Sequence, residues 1–403
     1  MARCDLLGVA PYSDMEGGLY RGYLTPAYQA AQEALAGWME EAGMAIRRDA
    51  AANLIGRYEG SIPGAPALLI GSHLDSVRDG GRYDGPLGIM LGVEAVAALS
   101  EAGERMAFPI EVYAFGDEEG SRFPAAMLTS RAVAGTLDAE ALVLADGNGV
   151  ALGEAGVDVS AYLSAGRPRG TTLAYLEAHI EQGPVLEAEG LAVGTVTGIA
   201  AQLRYSVVVA GTAGHAGTSS MPLRRDALTA AAEMVLAVEA IARADASDLV
   251  ATVGKMEVLP GAANVIPGEV RFTLDIRSGS EGRRDRAAEA IVERIQDIAD
   301  QRDLEFAIER IHDLPSSPCD QALMDLMDSA CADAGQQPFR LISGAGHDAM
   351  VMAALCPTAM LFIRCGGGIS HNPAETVTPE DADIALRVML GFINRLGETI
   401  EHA

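Results

Sequence analysis

Hydrophobic and polar positions alternate in blocks along this chain, and the blocks indicate an α/β fold. Short apolar runs without helical spacing predict buried strands at 67–70, 110–115 and 359–363. Apolar residues at helical spacing predict a helix over 26–46, and an apolar stretch without proline predicts another over 87–99. Strands that alternate with helices in this way favour a central mixed sheet flanked by helices.

The middle of the chain carries a separate pattern of strand-like and helix-like segments. Their order, βαββαβ, predicts an inserted α+β domain in which two helices cover a sheet. We therefore predict a discontinuous domain over residues 1–202 and 318–403 and an inserted domain over 203–317. The inserted segments are a strand from Leu203, a helix over 227–244, strands over 249–259 and 269–276, a helix over 283–302 and a strand over 305–311.

The charge of the chain narrows the classes of partner. The 403 residues carry a formal net charge of −27 at pH 7. Nucleic acids and anionic membranes are polyanions, so neither is expected as a partner. A small anionic substrate held by one local arginine remains compatible with this charge.

Targeting signals and cysteines indicate where the protein works. The start, MARCDLLGVA, lacks the pattern of a secretory signal, and no later apolar run is long enough to span a bilayer. The five cysteines are scattered and form no CxxC pair, which favours free thiols in a reducing compartment. We expect a soluble, cytoplasmic protein.

Two of the predicted strands are followed by residues that can bind a metal. His73, Asp75 and Asp84 follow the strand at 67–70, and Glu118 and Glu119 follow the strand at 110–115. Strand ends of this kind converge at one edge of an α/β sheet. Imidazole and carboxylate together suit zinc, manganese or nickel. Taken singly, each segment also has a structural interpretation, as a strand cap with solvated aspartates or as a surface acidic loop.

Neighbouring acidic residues suggest a division of roles at such a site. Asp75 can accept the second N–H of the His73 ring and fix its tautomer. Of the adjacent Glu118 and Glu119, one can bind metal while the other takes a proton from the attacking water. Five of the seven histidines lie in glycine-rich or acidic settings, which favours one shared metal site: His73, His179, His215, His347 and His371.

Seven short motifs give the chain a recognisable signature. In chain order they read GSHLDSV, GGRYDGPLG, GDEEGSRF, LEAHIEQGPVLE, GTAGHAGTSSMPLRRDA, SGAGHDA and GISHNPAE. Through these segments the chain resembles the M20 family of metal-dependent amidohydrolases and peptidases. The histidine at position 179, where peptidase relatives typically place an acidic ligand, is similar to the hydantoinase/carbamoylase branch.

The resemblance implies two divalent metal ions per subunit, zinc or manganese, with cobalt or nickel as further options. It implies that Asp84 bridges them, that His73 and His179 complete one ligand set, and that Glu119 and His371 complete the other. Glu118 would then be the general base and Asp75 the partner of His73 behind the ligands.

The resemblance also implies a lid and dimerisation role for the inserted domain, within a homodimer. His215 and Asn264 would stabilise the oxyanion or bind substrate, and Arg277 would pair with a substrate carboxylate. Arg277 as an ordinary salt bridge and Asn264 as a turn residue remain alternatives, as does a packing turn for the loop 344–348. The other substrate contacts implied are Gln202, Gly346 and His347.

Taken together, these features predict a two-metal amidohydrolase. The implied substrate is a small anionic ureido or carbamoyl acid, either allantoate or an N-carbamoyl-L-amino acid, and the products include ammonia and carbon dioxide. An aminopeptidase or dipeptidase with the same metal core is an alternative. A metal-dependent protein that binds ureides without catalysis is another, although Glu118 argues against it because a pure binder needs no base.

Overall fold

The structure is a computed structural model that describes residues 1–401, excluding the side chain of Glu401. It divides into two compact units. The first comprises Met1–Thr197, Cys319–Leu341 and the residues from Ala345 onward, and the second comprises Gly198–Pro318 and Ile342–Gly344. The last two residues of the predicted segment 318–403 lie outside the described part. That the first unit is the catalytic, metal-binding domain and the second a lid or dimerisation domain stays a prediction.

The first unit is built on a mixed sheet with helices around it. Its strands are β1 (Ala45–Arg48), β2 (Leu54–Tyr58), β3 (Ala67–His73), β4 (Ile110–Phe115), β5 (Thr172–Ile180), β6 (Val193–Ile199), β15 (Arg340–Ser343) and β16 (Thr358–Ile363). Its helices are α1 (Ala2–Leu7), α2 (Pro26–Glu41), α3 (Pro86–Ala102), α4 (Leu128–Ala134), α5 (Val159–Tyr162), α6 (Val185–Glu189), α9 (Gln321–Asp333), α10 (Asp348–Met352) and α11 (Pro379–Glu401). β6 and β15 continue by two residues each into the second unit.

Four parallel strands form the centre of this sheet. The strand order is β1-β2-β4-β3-β5-β16-β6, with β15 paired to β6. β4, β3, β5 and β16 run parallel to their neighbours in that order, whereas β1, β2 and β6 pair antiparallel. Every residue of β3, β4 and β16 is buried, as expected for parallel strands that are covered on both faces. The predicted fold class, a mixed sheet flanked by helices, is confirmed.

The helix α3 shows how the sequence sets an element against this sheet. Pro86 is its first residue, a position where proline costs no hydrogen bond, and Gly103 ends it in the left-handed conformation. Most of its residues are buried, so it packs as a core helix. Gly85, just before the helix, has a φ of 83°, and a Cβ there would lie 2.4 Å from the carbonyl oxygen of His73. Only glycine can occupy this tight turn between the strand end and the helix.

The second unit has an antiparallel sheet and two long helices. Its elements are β7 (Ala201–Ala210), β8 (Gly214–His215), α7 (Ala227–Ala244), β9 (Val250–Thr252), β10 (Met256–Leu259), β11 (Val265–Ile266), β12 (Glu269–Ser278), α8 (Glu281–Gln301), β13 (Glu305–Leu314) and β14 (Ser317–Pro318). The sheet order is β10-β12-β7-β13, with β9 paired to β12, and β8 pairs with β11 in a small two-stranded sheet. Apolar residues of β7, β12, α7 and α8 form the core of this unit.

One predicted strand of this unit is wrong in detail. The run 249–259 forms two strands, β9 and β10, separated at Val253–Lys255. They pair with opposite ends of β12, since Thr252 faces Asp275 while Met256 faces Phe272. The break lies at Gly254 and Lys255, residues with low strand preference.

Among the residues described, no helix has both the length and the apolar character needed to cross a bilayer.

Candidate metal centre

The ends of the four central parallel strands bring the predicted ligands to one edge of the sheet. His73 is the last residue of β3, and His179 is the next to last of β5. Glu118 and Glu119 follow β4 by three and four residues, and His371 follows β16 after a glycine-rich turn. This is the edge where open α/β sheets place their ligand sites.

His73, His179 and Asp84 form the most buried part of this centre. The Nε2 atoms of His73 and His179 are 3.4 Å apart. Oδ1 of Asp84 lies 3.1 Å from Nε2 of His179 and 3.7 Å from Nε2 of His73. All three side chains are at least nine-tenths buried. Their ligand atoms are close enough together to share one metal ion.

The tautomers of the two histidines follow from their other ring nitrogens. Nδ1 of His73 lies 3.1 Å from the backbone oxygen of Asp75, and Nδ1 of His179 lies 2.9 Å from that of Ile180. A carbonyl oxygen only accepts, so each Nδ1 carries a hydrogen and each Nε2 presents a lone pair. Two lone pairs and a carboxylate therefore converge, with their outer N–H groups fixed as in typical metal-ligating histidines. This donor set fits a divalent cation.

Two further groups of side chains extend the centre beyond this trio. Asp84, Glu119 and His371 form one, and His73, Glu118 and Glu119 form the other. Nε2 of His371 is 3.2 Å from Oε1 of Glu119 and 3.4 Å from Oδ2 of Asp84. Asp84 thus offers one oxygen toward the two buried histidines and the other toward His371. The structure thus brings these side chains together around one aspartate, and their assignment as metal ligands stays a prediction.

The charge of the centre favours a cation. Burial opposes a charge on His73, but Asp84 and the carboxylates nearby outweigh it and raise the pKa of His73 well above its usual value. For His179, burial again opposes the charge, and Asp84 raises the pKa. Burial also opposes the charge on Asp84, yet His179 and His73 hold the pKa of Asp84 well below its usual range. All three directions show that the cluster attracts positive charge.

Glu118, the predicted general base, is buried beside the ligands. Burial is the main cause that raises the pKa of Glu118 well above its usual value. Asp348, Glu119 and Asp75 add to the rise, while His73 lowers it. A carboxylate in this environment is a better proton acceptor than one in water.

Asp75 lies behind the ligands, but its contact with His73 differs from the one that the sequence predicts. The carboxylate oxygen is 3.9 Å from Nδ1 of His73, too far for a hydrogen bond, and the backbone oxygen of Asp75 accepts from that nitrogen instead. The carboxylate accepts from the backbone N–H groups of Glu118, at 3.2 Å, and Glu119, at 3.4 Å. Asp75 therefore joins the loop after β3 to the loop after β4.

Three contacts around Asp84 are absent from the predicted site. Ser370 Oγ donates to Oδ2 of Asp84 at 2.6 Å, and Gln182 Nε2 donates to both carboxylate oxygens. Glu375 accepts from the backbone N–H groups of Tyr83 and Asp84. Gln182, Ser370 and Glu375 all lie in the quoted motifs, close to a predicted histidine, and that proximity is the only signal in the sequence.

Strained backbone accompanies these loops. Asp117, Gln182 and His371 have φ values of 54°, 56° and 54°, in the left-handed region that non-glycine residues seldom adopt. Each lies beside or among the residues of the centre. Strain of this kind concentrates at functional sites, where surrounding structure holds it in place.

His347 and Gly346 belong to the first unit and adjoin the same centre. The ring of His347 packs against that of His179, with centroids 4.4 Å apart. Burial, with His179 as a second cause, lowers the pKa of His347 well below its usual value, so the ring is neutral. At the start of α10, the N–H of Ala349 donates to the carboxylate of Glu177 at 2.8 Å.

His215 and Asn264 lie together in the second unit. β8 and β11 pair so that His215 faces Val265, and the N–H of Ala216 donates to the backbone oxygen of Asn264. Both residues are exposed. Nδ1 of His215 accepts from the N–H of Gly217 at 3.0 Å, so Nε2 carries the hydrogen and is free to donate.

Arg277 and Gln202 are neighbours on paired strands of the same unit. Nε and Nη2 of Arg277 donate to the two oxygens of Asp275, and Nη1 donates to the backbone oxygen of Gly344. Gln202 Nε2 and Arg204 Nε also donate to Asp275. Arg204, Asp275 and Arg277 border a cavity of about 640 Å³. Asp275 thus occupies one edge of the Arg277 guanidinium. Arg277 therefore forms the salt bridge that the sequence leaves open as an alternative, and its role in substrate binding stays a prediction.

Comparison with known proteins extends these observations. The family described as Peptidase family M20/M25/M40 matches residues 69–395. An N-carbamoyl-L-amino acid amidohydrolase of Geobacillus stearothermophilus is 44% identical over 386 residues, covering 95% of this chain and 94% of the relative. A probable allantoate deiminase of Oryza sativa subsp. japonica is 38% identical over 426 residues, covering 95% and 85%. The crystal structure of a hydantoinase/carbamoylase family amidase from Burkholderia multivorans aligns with a TM-score of 0.91 at 35% identity, over 97% of this chain and 95% of that one.

Proposed function

The chain belongs to peptidase family M20/M25/M40, and from that premise we propose a two-metal amidohydrolase that cleaves the linear C–N bond of a ureido or carbamoyl acid. It is an enzyme, a hydrolase of carbon–nitrogen bonds other than peptide bonds. The candidate substrates are allantoate and N-carbamoyl-L-amino acids, which are the substrates named for the two similar relatives. A small anionic substrate held by a local arginine is compatible with the formal net charge of −27, which disfavours a polyanion as partner.

One observation carries the proposal: Asp84 is shared by two groups of ligands, and Glu118 lies at their border. We propose His73, His179 and Asp84 for one metal and Asp84, Glu119 and His371 for the other. Histidine and carboxylate donors suit zinc or manganese, and cobalt or nickel are further options. Two such cations, when bound, polarise the scissile carbonyl and make the attacking water more acidic.

The side chains of the first unit then divide the remaining work. Glu118 takes the proton of the attacking water and can return it to the leaving nitrogen, a role that its raised pKa supports. Asp75 holds the loop that carries Glu118 and, through its backbone, the ring of His73. Gly346 and the neutral His347 are proposed substrate contacts, since His347 packs against the ligand His179.

The side chains of the second unit are proposed to bind and polarise the substrate. His215 presents an Nε2–H donor next to Asn264, a pair suited to stabilising an oxyanion. Arg277 would bind the substrate carboxylate through Nη1, which donates to the backbone oxygen of Gly344 in this structure, while Nε and Nη2 stay paired with Asp275. Gln202, which shares Asp275 with Arg277, would add a polar contact.

The proposed reaction balances for either substrate. Water attacks the ureido carbonyl, and an N-carbamoyl amino acid yields the amino acid, ammonia and carbon dioxide. Allantoate yields ureidoglycine, ammonia and carbon dioxide. In each case the enzyme cleaves one C–N bond of the ureido group, with Glu118 carrying a proton from water to the leaving nitrogen. The carbamate that remains then decomposes to carbon dioxide, which breaks the second C–N bond.

We further propose a cytoplasmic homodimer. Free thiols at all five cysteines, each of them buried, support a reducing compartment. Several large apolar side chains of the second unit are exposed and support a contact with another copy. They include Met221 at 72%, Leu223 at 82% and Leu236 at 66% exposed.

The test is ammonia release by the zinc- or manganese-loaded enzyme and by a chelator-treated control. The panel contains allantoate, several N-carbamoyl-L-amino acids, N-carbamoyl-β-alanine and a few dipeptides. Chelator-sensitive ammonia release from one ureido class is the expected result and identifies the substrate. Cleavage of dipeptides with no release from any ureide would instead contradict the proposal and favour the peptidase alternative.

A further inference from the structure

Arg21 is a completely buried arginine with no carboxylate partner. Its side chain donates to three backbone oxygens: Nε to Leu74 at 2.6 Å, and Nη1 to Leu7 at 2.7 Å and Tyr12 at 3.2 Å. Its exposed fraction is 0%. Within residues 1–401, no acidic side chain forms a salt bridge with it, and Nη2 is buried without a hydrogen-bond partner.

Such a burial is costly, so it calls for a specific role. A buried guanidinium without a paired charge loses its hydration and regains only part of it from carbonyl oxygens. Burial lowers the pKa of Arg21 to about 10, and the largest opposing influence is the charge of Asp75. The charge of Arg21 therefore interacts with the charge of Asp75, the residue that contacts both His73 and Glu118.

Arg21 forms hydrogen bonds with both sequence neighbours of Asp75, Leu74 and Ser76. The side chain holds the backbone oxygen of Leu74, immediately before Asp75. The backbone N–H of Arg21 donates to Ser76 Oγ at 3.0 Å, and the N–H of Ser76 donates to the oxygen of Arg21 at 3.1 Å. Three hydrogen bonds thus fix the segment Leu74–Ser76 to Arg21.

Asp75 connects this fixed segment to the metal centre through hydrogen bonds. Its backbone oxygen orients the ring of His73, and its carboxylate holds the backbone of Glu118 and Glu119. A shift of Asp75 would therefore move a proposed ligand and the proposed base together. No other residue among those described makes comparable contacts with both flanks of Asp75.

We propose that Arg21 is a positioning residue of the metal centre, which clamps the segment Leu74–Ser76 and so aligns His73 and Glu118 through Asp75. This inference rests on the proposed function for the metal centre itself. Arginine suits the task because its planar fork reaches carbonyls in different directions at once. A lysine ammonium is a single point, and it cannot reproduce contacts to Leu74, Leu7 and Tyr12 with the same geometry.

The test compares Arg21→Met and Arg21→Lys with Arg167→Met. Arg167 is a matched control because it is also largely buried in the first unit, where it binds Glu111, Tyr113 and Thr172. Glu111 and Thr172 lie at the starts of β4 and β5, the end of the sheet away from the metal centre, and Tyr113 lies in the middle of β4. Each metal-free protein is titrated with Zn²⁺ well below its unfolding temperature, and kcat and KM for ammonia release are measured.

Arg21→Met should weaken zinc binding and reduce kcat by about 10- to 100-fold, the usual effect of removing a contact behind the ligands. Arg21→Lys should recover only part of this loss, and Arg167→Met should lower thermal stability without changing zinc affinity. If Arg21→Met does not fold, Arg21→Lys alone decides, and wild-type zinc affinity and kcat in that variant overturn the inference. Failure of the wild-type protein to bind zinc or release ammonia would instead overturn the proposed function, and this inference with it.

Discussion

The Nε2 atoms of His73 and His179 lie 3.4 Å apart, and each ring is held in this orientation by a backbone carbonyl at its Nδ1. The two carbonyls belong to Asp75 and Ile180, at the ends of β3 and β5. Neither histidine can turn its lone pair away without losing a buried hydrogen bond. The fold therefore holds two nitrogen ligands in place before any metal binds. Their lone pairs repel each other, and a proton or a metal cation between them removes this repulsion.

Metal binding should release protons and should strengthen as the pH rises. Asp84 outweighs burial and raises the pKa values of His73 and His179, so these rings take up protons more readily than a free imidazole as the pH falls. A metal must displace those protons, so zinc affinity increases as the pH rises through these pKa values and then levels off. Calorimetric titration with Zn²⁺ in two buffers of different ionisation enthalpy measures the protons released.

The half-buried His312 of the second unit supplies the control for this experiment. His312→Asn should leave both zinc affinity and proton release unchanged, whereas His179→Asn should weaken binding and reduce the number of protons released. Zinc affinity that does not vary from mildly acidic to mildly alkaline pH would contradict the prediction.

Glu118→Gln should separate catalysis from metal binding. The amide keeps the shape of the side chain but cannot take a proton, so we expect kcat/KM to fall roughly 10²–10⁴-fold, the usual contribution of a general base. Zinc affinity should stay near that of the wild type, because the buried trio of His73, His179 and Asp84 is intact. Steady-state kinetics and metal analysis of the same sample provide the check, and full turnover in this variant would exclude Glu118 as the base.

Ser370→Ala should weaken metal binding through Asp84. Ser370 donates to Oδ2 of Asp84 at 2.6 Å, and without it Gln182 is the remaining side-chain amide or hydroxyl donor to this carboxylate among the described residues. We expect a loss of roughly 10-fold or more in zinc affinity, as for other contacts behind metal ligands. The control, Ser160→Ala, removes a hydroxyl that contacts only the exposed Asp158 and should have no effect. Equal zinc affinity in the two variants would rule out this role for Ser370.

The sequence predicts the framework of this site better than its supporting contacts. β4 and α7 have the bounds 110–115 and 227–244 that the apolar pattern predicts, because buried strands and amphipathic helices leave a local signal. His73, Asp84, Glu119 and His371 are found in the same way, since they follow predicted strands. His179 lies within β5, which the apolar pattern does not predict, and only its motif marks it.

The supporting contacts could not be predicted because they join distant parts of the chain. Ser370 and Asp84 are 286 positions apart, Gln182 and Asp84 are 98 apart, and Arg21 and Leu74 are 53 apart. Nothing in the local pattern around Arg21 distinguishes it from a surface arginine. The role of Asp75 shows the same limit, because the choice between its carboxylate and its backbone oxygen depends on the final position of the His73 ring.

Arg277→Lys should raise KM for carboxylate substrates more than it lowers kcat. A lysine carries its N–H groups on a single nitrogen, so it cannot keep the bidentate pairing with Asp275 while it binds a substrate carboxylate. The control is Arg271→Lys on the same strand, β12, where Arg271 pairs with Glu269 near the opposite end. Kinetics on the preferred ureido acid check this expectation, and an unchanged KM in Arg277→Lys would remove it from the substrate contacts.

Two glycine-to-alanine substitutions should have opposite effects on stability. Gly88 lies in α3, where an added Cβ would be 2.1 Å from the backbone oxygen of Ala178, next to His179. Neither backbone can move easily, so Gly88→Ala should destabilise the protein by about 1–3 kcal/mol, as overpacking does in cores. Gly37 lies inside α2 with no atom within 4 Å of such a Cβ, so Gly37→Ala should gain helix propensity worth about 0.5–1 kcal/mol.

Denaturant unfolding of the metal-free proteins measures both changes, and zinc titration adds a second comparison. Because Ala178 precedes His179 in β5, Gly88→Ala should also weaken zinc binding, while Gly37→Ala should leave it unchanged. The pair shares one chemical change and differs only in its surroundings, so helix propensity alone predicts stabilisation in both. A stable Gly88→Ala protein with wild-type zinc affinity would therefore show that α3 does not need its close approach to β5 to hold His179 in place.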